Sequence, residues 1–297
     1  MKTLTELTDT TALATWIPTE QFADLILDGV VCYGHLAGKV TALEYDLQAG
    51  QGDTVNIRAI AARTAQSITD ACGCLTATSS TFSEYTIDVG KLGDYDLMCG
   101  ISIWQAKGNV KSAVLYEMSK GLAHAQDAAL WTAMTNGAWS YTALTTVSCN
   151  STSTTSAFCC AFAFNLFNSI VSIKQQMKGA CYEPDTVVLS PTVAKWLYYK
   201  DYTYPMGGMV KFNDKGDLIE IDGLNVIETG SATACSGSKV TLAVILDSRR
   251  ALGEVYGKRP AFSEFYENNC DRYREVVWMY WGCGRLDPAA KGRVMNP

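Results

Sequence analysis

Histidine and cysteine are the residue types in this sequence that could carry catalytic or metal chemistry. The chain has two histidines, His35 and His124, and 11 cysteines. A nucleophilic enzyme needs a base within hydrogen-bond reach of its nucleophile, and neither histidine lies in a motif that supplies one. The sequence contains no nucleophile elbow and no phosphate-binding glycine loop. It therefore predicts no catalytic residues, no cofactor and no enzyme.

The cysteines do not form a ligand set for a metal. Cys72-Gly73-Cys74 has metal-ligand character, but a tetrahedral zinc site needs four ligands and no second pair has suitable spacing. Cys159 and Cys160 are neighbours in a helical pattern, so they point in different directions and are expected to pack. An odd number of cysteines leaves at least one thiol unpaired or paired between chains, which favours a reducing cytoplasm.

The longest regular pattern covers residues 110–135, where apolar side chains recur at spacings of three and four. Asn109 offers an N-cap and Asn136-Gly137 a stop, so one helix of about 39 Å is predicted. Its solvated side is expected to carry ion-pairing side chains instead of a catalytic cluster. These side chains are Glu117, Lys120, His124 and Asp127.

Composition excludes several classes of protein. Hydrophobic residues make up 48% of 297 residues, which is typical of a packed interior and not of a disordered chain. A net charge of -6 argues against a protein that neutralises many phosphates, so only loose contact with DNA is expected. The first residues resemble neither a signal peptide nor a transit peptide. The most apolar stretch, 157–171, is too short for a membrane span and predicts a buried helix.

The other patterns predict an α+β fold. Ser190-Pro191 supplies an N-cap followed by Pro at the first helical position, and Asp222-Gly223 is a turn between two strands. Two long strands are expected to close the chain around the turn at 268–271. The predicted helices are 156–179 and 190–199, and the predicted strands are 53–60, 85–89, 97–104, 186–189, 218–221, 224–228, 240–246, 261–267 and 272–283.

Two segments are predicted to need a partner. Residues 1–52 mix short apolar clusters with turns and predict an arm with one short helix, and residues 53–106 predict a long hairpin. A two-stranded ribbon cannot bury enough apolar surface to be stable alone in water. Residues 65–83 contain no Pro and little charge, the usual protections of an exposed edge. Both segments are therefore expected to pack against neighbouring copies of the chain.

The order of these parts resembles the major capsid proteins of tailed double-stranded DNA phages and related archaeal viruses, which have the Hong Kong 97 type fold. The resemblance covers the whole chain and depends on the sequence and spacing of several short motifs. They are Gln51-Gly52-Asp53-Thr54-Val55, Leu122-Ala123-His124-Ala125-Gln126-Asp127, Val188-Leu189-Ser190-Pro191, Asp247-Ser248-Arg249-Arg250 and Arg285-Leu286-Asp287-Pro288.

The resemblance implies a division of the chain into named parts. Residues 1–52 correspond to the N-terminal arm and 53–108 to the extended loop. Residues 109–155 correspond to the peripheral domain with its spine helix, 156–253 to the axial domain, and 254–297 to the closing strands of the peripheral domain. It also implies hexamers and pentamers that tile an icosahedral shell around viral DNA, in a virion assembled in the host cytoplasm. Scaffolding, portal and decoration proteins are implied partners, and a membrane is not.

Cross-links between subunits occur in part of this family. An isopeptide bond between a loop Lys and an Asn near the final turn of a neighbour would involve Lys91 with Asn268 or Asn269, although Lys91 is not at the expected tip of the loop. Cys72 and Cys74 could instead form disulfides between chains. Many members also begin with a scaffolding segment that a protease removes, and this sequence begins near the arm.

Three other classes of protein compete with this interpretation. An encapsulin-type compartment has the same fold, and the sequence hardly separates it from a capsid protein. An enzyme has little support, because two histidines are the only imidazole bases. A tail or host-binding protein would favour β-rich repeats, whereas this sequence has no internal repeat and one long helix.

Overall fold

The computed structural model describes residues 34–41, 43–47, 53–60, 82–100, 110–145, 156–198, 209–214, 217–232, 239–268 and 270–297. The helices are α1 (Val110–Thr135), α2 (Ser156–Gly179) and α3 (Pro191–Tyr198), with a 3-10 turn at Pro288–Ala290. The strands are β1 (Leu43–Asp46), β2 (Thr54–Ile60), β3 (Phe82–Asp88), β4 (Gly90–Cys99), β5 (Tyr141–Leu144), β6 (Thr186–Leu189), β7 (Val210–Phe212), β8 (Leu218–Ile221), β9 (Leu224–Glu228), β10 (Thr241–Leu246), β11 (Leu252–Glu267), β12 (Arg272–Arg285) and β13 (Lys291–Met295).

A four-stranded sheet has the order β1-β11-β12-β4. Its centre is the long antiparallel pair of β11 and β12, while β1 runs parallel to β11 and β4 antiparallel to β12. Side chains alternate between the two faces, so one face of β12 buries Val277 and Met279 against α1 and the other faces outward. The two strands are joined by a turn in which Asp271 has a positive φ of 46°.

A seven-stranded mixed sheet has the order β5-β13-β10-β6-β9-β8-β7. Its central strands are covered on both faces, which explains the unbroken apolar sequence of β6 and β10. Val187 and Ile245 pack into the core formed with α2 and α3. Val188 and Val244, which point to the opposite face, pack into the core formed with α1. This sheet is therefore the layer between α1 and α2.

Helix α1 links the two sheets. Leu115, Met118, Leu122, Leu130 and Met134 are buried, and their spacing places them along one side of the helix. That side packs against β12 of the four-stranded sheet and against β6 and β10 of the seven-stranded sheet. Among the described residues, no helix has both the length and the apolar composition needed to cross a bilayer.

Most local predictions are confirmed. Helices over 110–135 and 156–179 have the predicted bounds, and strands 186–189, 218–221 and 224–228 match. The backbone N–H of Val193 donates to Oγ of Ser190 at 3.3 Å, which is the predicted N-cap of α3. Asp222 and Gly223 both have positive φ, 48° and 76°, as a tight hairpin turn requires.

The strands within the predicted extended loop pair differently from the prediction. The structure has a hairpin of β2 and β3, but the next strand is Gly90–Cys99 instead of 97–104, and it pairs with β12. It joins the sheet because Leu92 packs there against the core under α1 and Met98 becomes buried, which the hairpin alone could not provide. The predicted hairpin tip, at about 61–81, lies outside the described residues.

The last strand of the chain joins the seven-stranded sheet. β13 pairs with β10 and with β5, although the resemblance places residues 254–297 and 109–155 in the peripheral domain and not with the strands of 156–253. A predicted small sheet of strands from 156–253 thus gains two strands from distant parts of the chain. No local pattern predicts this arrangement, because pairing between remote strands depends on contacts between residues far apart in the chain. The domain division itself stays a prediction.

Candidate assembly surface

The described part of the predicted N-terminal arm is held against the rest of the chain by hydrogen bonds to the buried carboxylate of Asp127. This side chain is 1% exposed, and its two oxygens accept hydrogen bonds from the backbone N–H groups of His35 at 2.9 Å and Leu36 at 3.0 Å. The prediction that Asp127 lies on the solvated side of the helix is wrong. Its negative charge is buried because two amide dipoles from the arm complement it.

A second buried carboxylate holds the same segment. Glu254 is 1% exposed, and its Oε1 accepts from the backbone N–H of Gly38 at 3.0 Å and from Oγ1 of Thr41 at 2.9 Å. Its Oε2 accepts from the hydroxyl of Tyr256 at 3.1 Å and from Nε1 of Trp281 at 3.2 Å. Every oxygen of this carboxylate is therefore satisfied, as a buried charge requires.

The arm segment adds apolar contacts to these hydrogen bonds. Leu36 and Val40 are fully buried in the core beside α1, and β1 then continues along β11. Residues 34–41 and 43–47 thus pack on their own chain, contrary to the expectation that the whole arm depends on neighbours. The described residues of the segment 1–52 contain no helix, so the short helix predicted for this segment would lie outside them.

The other members of the predicted solvated cluster behave as expected. His124 is exposed, and Nζ of Lys120 lies 3.8 Å from a carboxylate oxygen of Glu117. This is the predicted ion pair across one turn of α1. His35 is also exposed, and it contributes its backbone, not its imidazole, to the arm contact.

The β2–β3 hairpin touches the body at its root. Ile87 is 1% exposed and lies against the glycines at 253 and 284. A Cβ atom at Gly284 would lie 2.7 Å from Cγ1 of Ile87, and one at Gly282 would lie 2.2 Å from the carbonyl oxygen of Asp88. Glycine is therefore required where the hairpin crosses β12. Ile87 is the only buried side chain among those described in β2 and β3, so the described part of the hairpin has its main contact with the four-stranded sheet at this root.

The outer face of the four-stranded sheet carries exposed apolar side chains. Leu97 and Phe265 lie in one row, because both are opposite Arg274 of β12, and they are 44% and 57% exposed. Tyr95 and Tyr280, on the same face, are 66% and 40% exposed. Exposed apolar side chains gathered on one face make this surface a candidate interaction site.

Basic side chains surround the aromatic ones on this outer face. Lys91 and Lys258 both lie opposite Tyr280, and Nζ of Lys258 is 4.0 Å from the centre of the Trp278 ring. Cation–π contact keeps such ammonium groups against the ring. The face therefore combines positive charge with aromatic surface, which suits an acidic or aromatic partner segment.

The edge of this sheet is closed to strand addition. β4 is its terminal strand in the described chain, and the N–H groups of Tyr95 and Leu97 donate to the carboxylates of Asp94 and Asp96, each at 2.8 Å. These amides cannot then bind the carbonyls of an added strand, and the charge further opposes edge-to-edge pairing. Association on the β4 side of the sheet is therefore expected to use the outer face and not this edge.

The C-terminal end of α1 is held by a buried lysine. Lys291 of β13 is fully buried, and its Nζ donates to the carbonyl oxygens of Met134 at 2.7 Å and Asn136 at 2.8 Å. The same ammonium lies 4.3 Å from the centre of the Trp139 ring. It neutralises the negative end of the helix dipole. Burial lowers the pKa of Lys291 to about 8.

The predicted cross-linking residues are only partly described. Lys91 and Asn268 are exposed, so both are accessible to another chain. Cys72, Cys74 and Asn269, and the side chains of Cys159 and Cys160, lie outside the described residues. Within the described part, Cys99, Cys181, Cys270 and Cys283 are unbridged thiols, and no group of three potential metal-ligating side chains occurs.

Comparison with solved structures defines the fold. No protein-family model matches the sequence, and no curated protein matches it. The chain is similar to one from the capsid of the cyanophage P-SCSP1u, with a TM-score of 0.67, 14% identity and coverage of 87% of this chain and 86% of that one.

Two further structures lead to the same assignment. A chain of the mature capsid of bacteriophage PhiM1 matches with a TM-score of 0.62, 15% identity and 86% coverage of both chains. A chain of the native GTA particle capsid matches with a TM-score of 0.63 and 10% identity, covering 89% of this chain and 90% of that one. The protein has the Hong Kong 97 type capsid fold, and the predicted fold is confirmed.

Proposed function

We propose that this chain is the major capsid protein of a tailed double-stranded DNA virus, a structural subunit and not an enzyme. The observation that carries the proposal is the likeness to capsid chains over nearly the full length of both partners, 86% or more for each of the three structures above. A match limited to one sheet would support only a shared motif. A match over 86% or more of each chain favours a shared mechanical role.

Rings of five and six subunits are the proposed assembly units. Heterologous contacts, in which one surface binds a different surface of the next copy, close into rings when the rotation is right. The projecting β2–β3 hairpin and the exposed outer face are two such different surfaces. Permanent interfaces of this kind bury more than about 2,000 Å².

Contact with packaged DNA is proposed to be weak and non-specific, since the chain has a net charge of -6. Scaffolding, portal and decoration proteins are proposed as separate partners. The virion, assembled in the host cytoplasm, is the proposed location.

Assembly of the full-length chain tests the proposal. After expression and purification, negative-stain micrographs should show closed shells of uniform diameter or rings of five or six subunits. Light scattering should give a mass many times 32.3 kDa. A monodisperse monomer over a wide range of salt and concentration would contradict the proposal.

The nature of the contents separates a capsid from an encapsulin-type compartment. Particles recovered from the organism that encodes the chain should contain double-stranded DNA that survives nuclease treatment. Particles that instead hold a protein cargo and no nucleic acid would establish the encapsulin alternative.

A further inference from the structure

Three carboxylates lie in one row across the inner face of the four-stranded sheet. Glu275 of β12 is directly opposite Glu264 of β11 on one side and directly opposite Asp96 of β4 on the other. Directly opposed residues have Cβ atoms about 5 Å apart, and like charges at that spacing are destabilising. The row lies beneath the first turns of α1, because Lys111 of that helix reaches Glu264.

Glu275, the middle carboxylate, has no hydrogen-bond donor in the described chain to compensate for its burial. It is 0% exposed, and neither Oε1 nor Oε2 has a hydrogen-bond partner among the described residues. Asp127, Asp247 and Glu254, the other buried carboxylates among the described residues, accept hydrogen bonds on both oxygens. Glu275 thus differs from them in being buried without donors.

The nearby cation, Lys111, already forms an ion pair with another carboxylate. Nζ of Lys111 lies 2.5 Å from Oε1 of Glu264 and 4.4 Å from the centre of the Tyr273 ring. The charges that act on Glu275 are Lys111 from α1, Glu264 from β11 and Asp96 from β4. One positive charge therefore faces three acidic groups.

An ionised carboxylate without donors is strongly disfavoured in a dry interior. Burial raises the pKa of Glu275 to about 7, with Glu264 and Asp96 raising it further and Lys111 opposing them. In an unfolded chain this group has its ordinary pKa of 4.5.

We propose that Glu275 is protonated when α1 is packed on the four-stranded sheet, and that its ionisation loosens the first half of α1 from that sheet. The carboxylate row is then a pH-sensitive contact between the spine helix and the sheet. The relief of a buried negative charge requires donors, and lifting the first turns of α1 admits water or frees Lys111 to provide them.

The direction of the effect follows from linkage. The packed state binds the proton more tightly than the loosened state, so packing is favoured at low pH and weakens as pH rises from about 4.5 through about 7. Above that range the contact stays weak, since Glu275 is ionised in both states.

Infrared spectroscopy of the purified full-length chain tests the protonation directly. A carbonyl band of a protonated carboxylic acid should persist to near neutral pH and titrate away at about pH 7, and Glu275→Gln should lack it. Glu117→Gln, which changes an exposed carboxylate on α1, should keep it. Absence of the band from the wild-type chain at about pH 6, where ordinary carboxyls are ionised, would overturn the proposal.

Hydrogen exchange tests the coupling to the helix. After correction for the intrinsic pH dependence, protection of the amides in the first half of α1 should fall at least tenfold between about pH 5.5 and 8.5 in the wild type and in Glu117→Gln. It should stay constant in Glu275→Gln, whose amide is neutral throughout. Equal pH dependence in all three chains would overturn the coupling. Both measurements concern the packing within one chain, so their outcome is independent of whether the chain forms a capsid.

Discussion

Buried ionisable side chains mark the points where α1 meets other parts of the molecule. Asp127 binds two backbone amides of the arm, and Lys291 binds two carbonyls at the end of the helix. A buried charge is tolerated when fixed partners replace the water it has lost. Each of these residues therefore fixes a neighbouring segment in one position, and its removal leaves backbone groups unsatisfied.

The arm contact predicts a large effect of Asp127→Asn. The substitution keeps the shape but removes the charge and turns one acceptor into a donor that faces a backbone N–H. We expect a loss of about 2–4 kcal/mol in the free energy of unfolding, measured by urea denaturation. Glu117→Gln, at an exposed position of the same helix, should cost less than about 0.5 kcal/mol. Equal losses for the two variants would show that the arm contact contributes little.

Lys291 predicts a rise in stability at alkaline pH. Its pKa is lowered to about 8 in the folded chain from 10.5, so between these values the unfolded chain binds more protons and unfolding becomes less favourable as pH rises. Urea unfolding at pH 8 and 10 should show a smaller rise, or a larger fall, for Lys291→Met than for the wild type. Lys211→Met, at an exposed position, should follow the wild type. If both variants follow it, the ammonium of Lys291 is not destabilised by burial.

At the scale of elements, the position of the hairpin depends on glycines in the neighbouring strands β11 and β12. Side chains are missing at Gly253 and Gly284, where Ile87 packs, and at Gly282, where the backbone of Asp88 passes. The backbone of β3 can thus cross β11 and β12 closely, and the direction in which the hairpin projects is set at this crossing. An altered root should therefore affect assembly more than the stability of the core.

Gly284→Val tests this separation. Its Cβ would lie 2.7 Å from Cγ1 of Ile87, so the root of the hairpin must shift. We expect shells to be absent in micrographs, while circular dichroism and the urea midpoint of the body change little. Gly90→Ala adds a methyl group where no atom lies within 4 Å and should assemble normally. Normal shells from Gly284→Val would show that the crossing tolerates displacement.

At the scale of the whole molecule, the surface divides into a part that can associate and a part that cannot. The edge of β4 is closed by Asp94 and Asp96, whereas the outer face beside it exposes aromatic and aliphatic side chains. Closing the edge disfavours uncontrolled sheet extension, and the open face leaves room for a defined neighbour. Specific assembly needs both properties.

The double substitution Leu97→Asp with Phe265→Asp tests the outer face. The two carboxylates would replace the apolar side chains on either side of Arg274 and should raise the concentration needed for assembly more than tenfold, equivalent to at least about 1.4 kcal/mol. Light scattering against concentration measures this shift. The conservative pair Leu97→Met with Phe265→Tyr keeps the apolar surface and should assemble as the wild type does. Unchanged assembly of the Asp variant would mean that this face is not an interface.

Local signals explain which parts of this molecule were predictable. Helices α1 and α2 follow from apolar spacing and α3 from Ser190-Pro191, because each depends on residues a few positions apart. Position 127 was misjudged for the opposite reason. Its carboxylate has the polarity of a solvated residue. The backbone amides that bind it belong to residues 92 and 91 positions away in the sequence.

By itself, the sequence determined the elements, the α+β class and the resemblance to capsid proteins, because periodicity, caps and turn residues act over short distances. Only the tertiary structure decided that β5 and β13 enter one sheet, that β4 leaves the hairpin for β12, and that Glu275 is buried between two other carboxylates. These features depend on contacts between segments remote in the chain. A residue's burial and charge environment are set by those contacts, so they emerge only when the whole chain is packed.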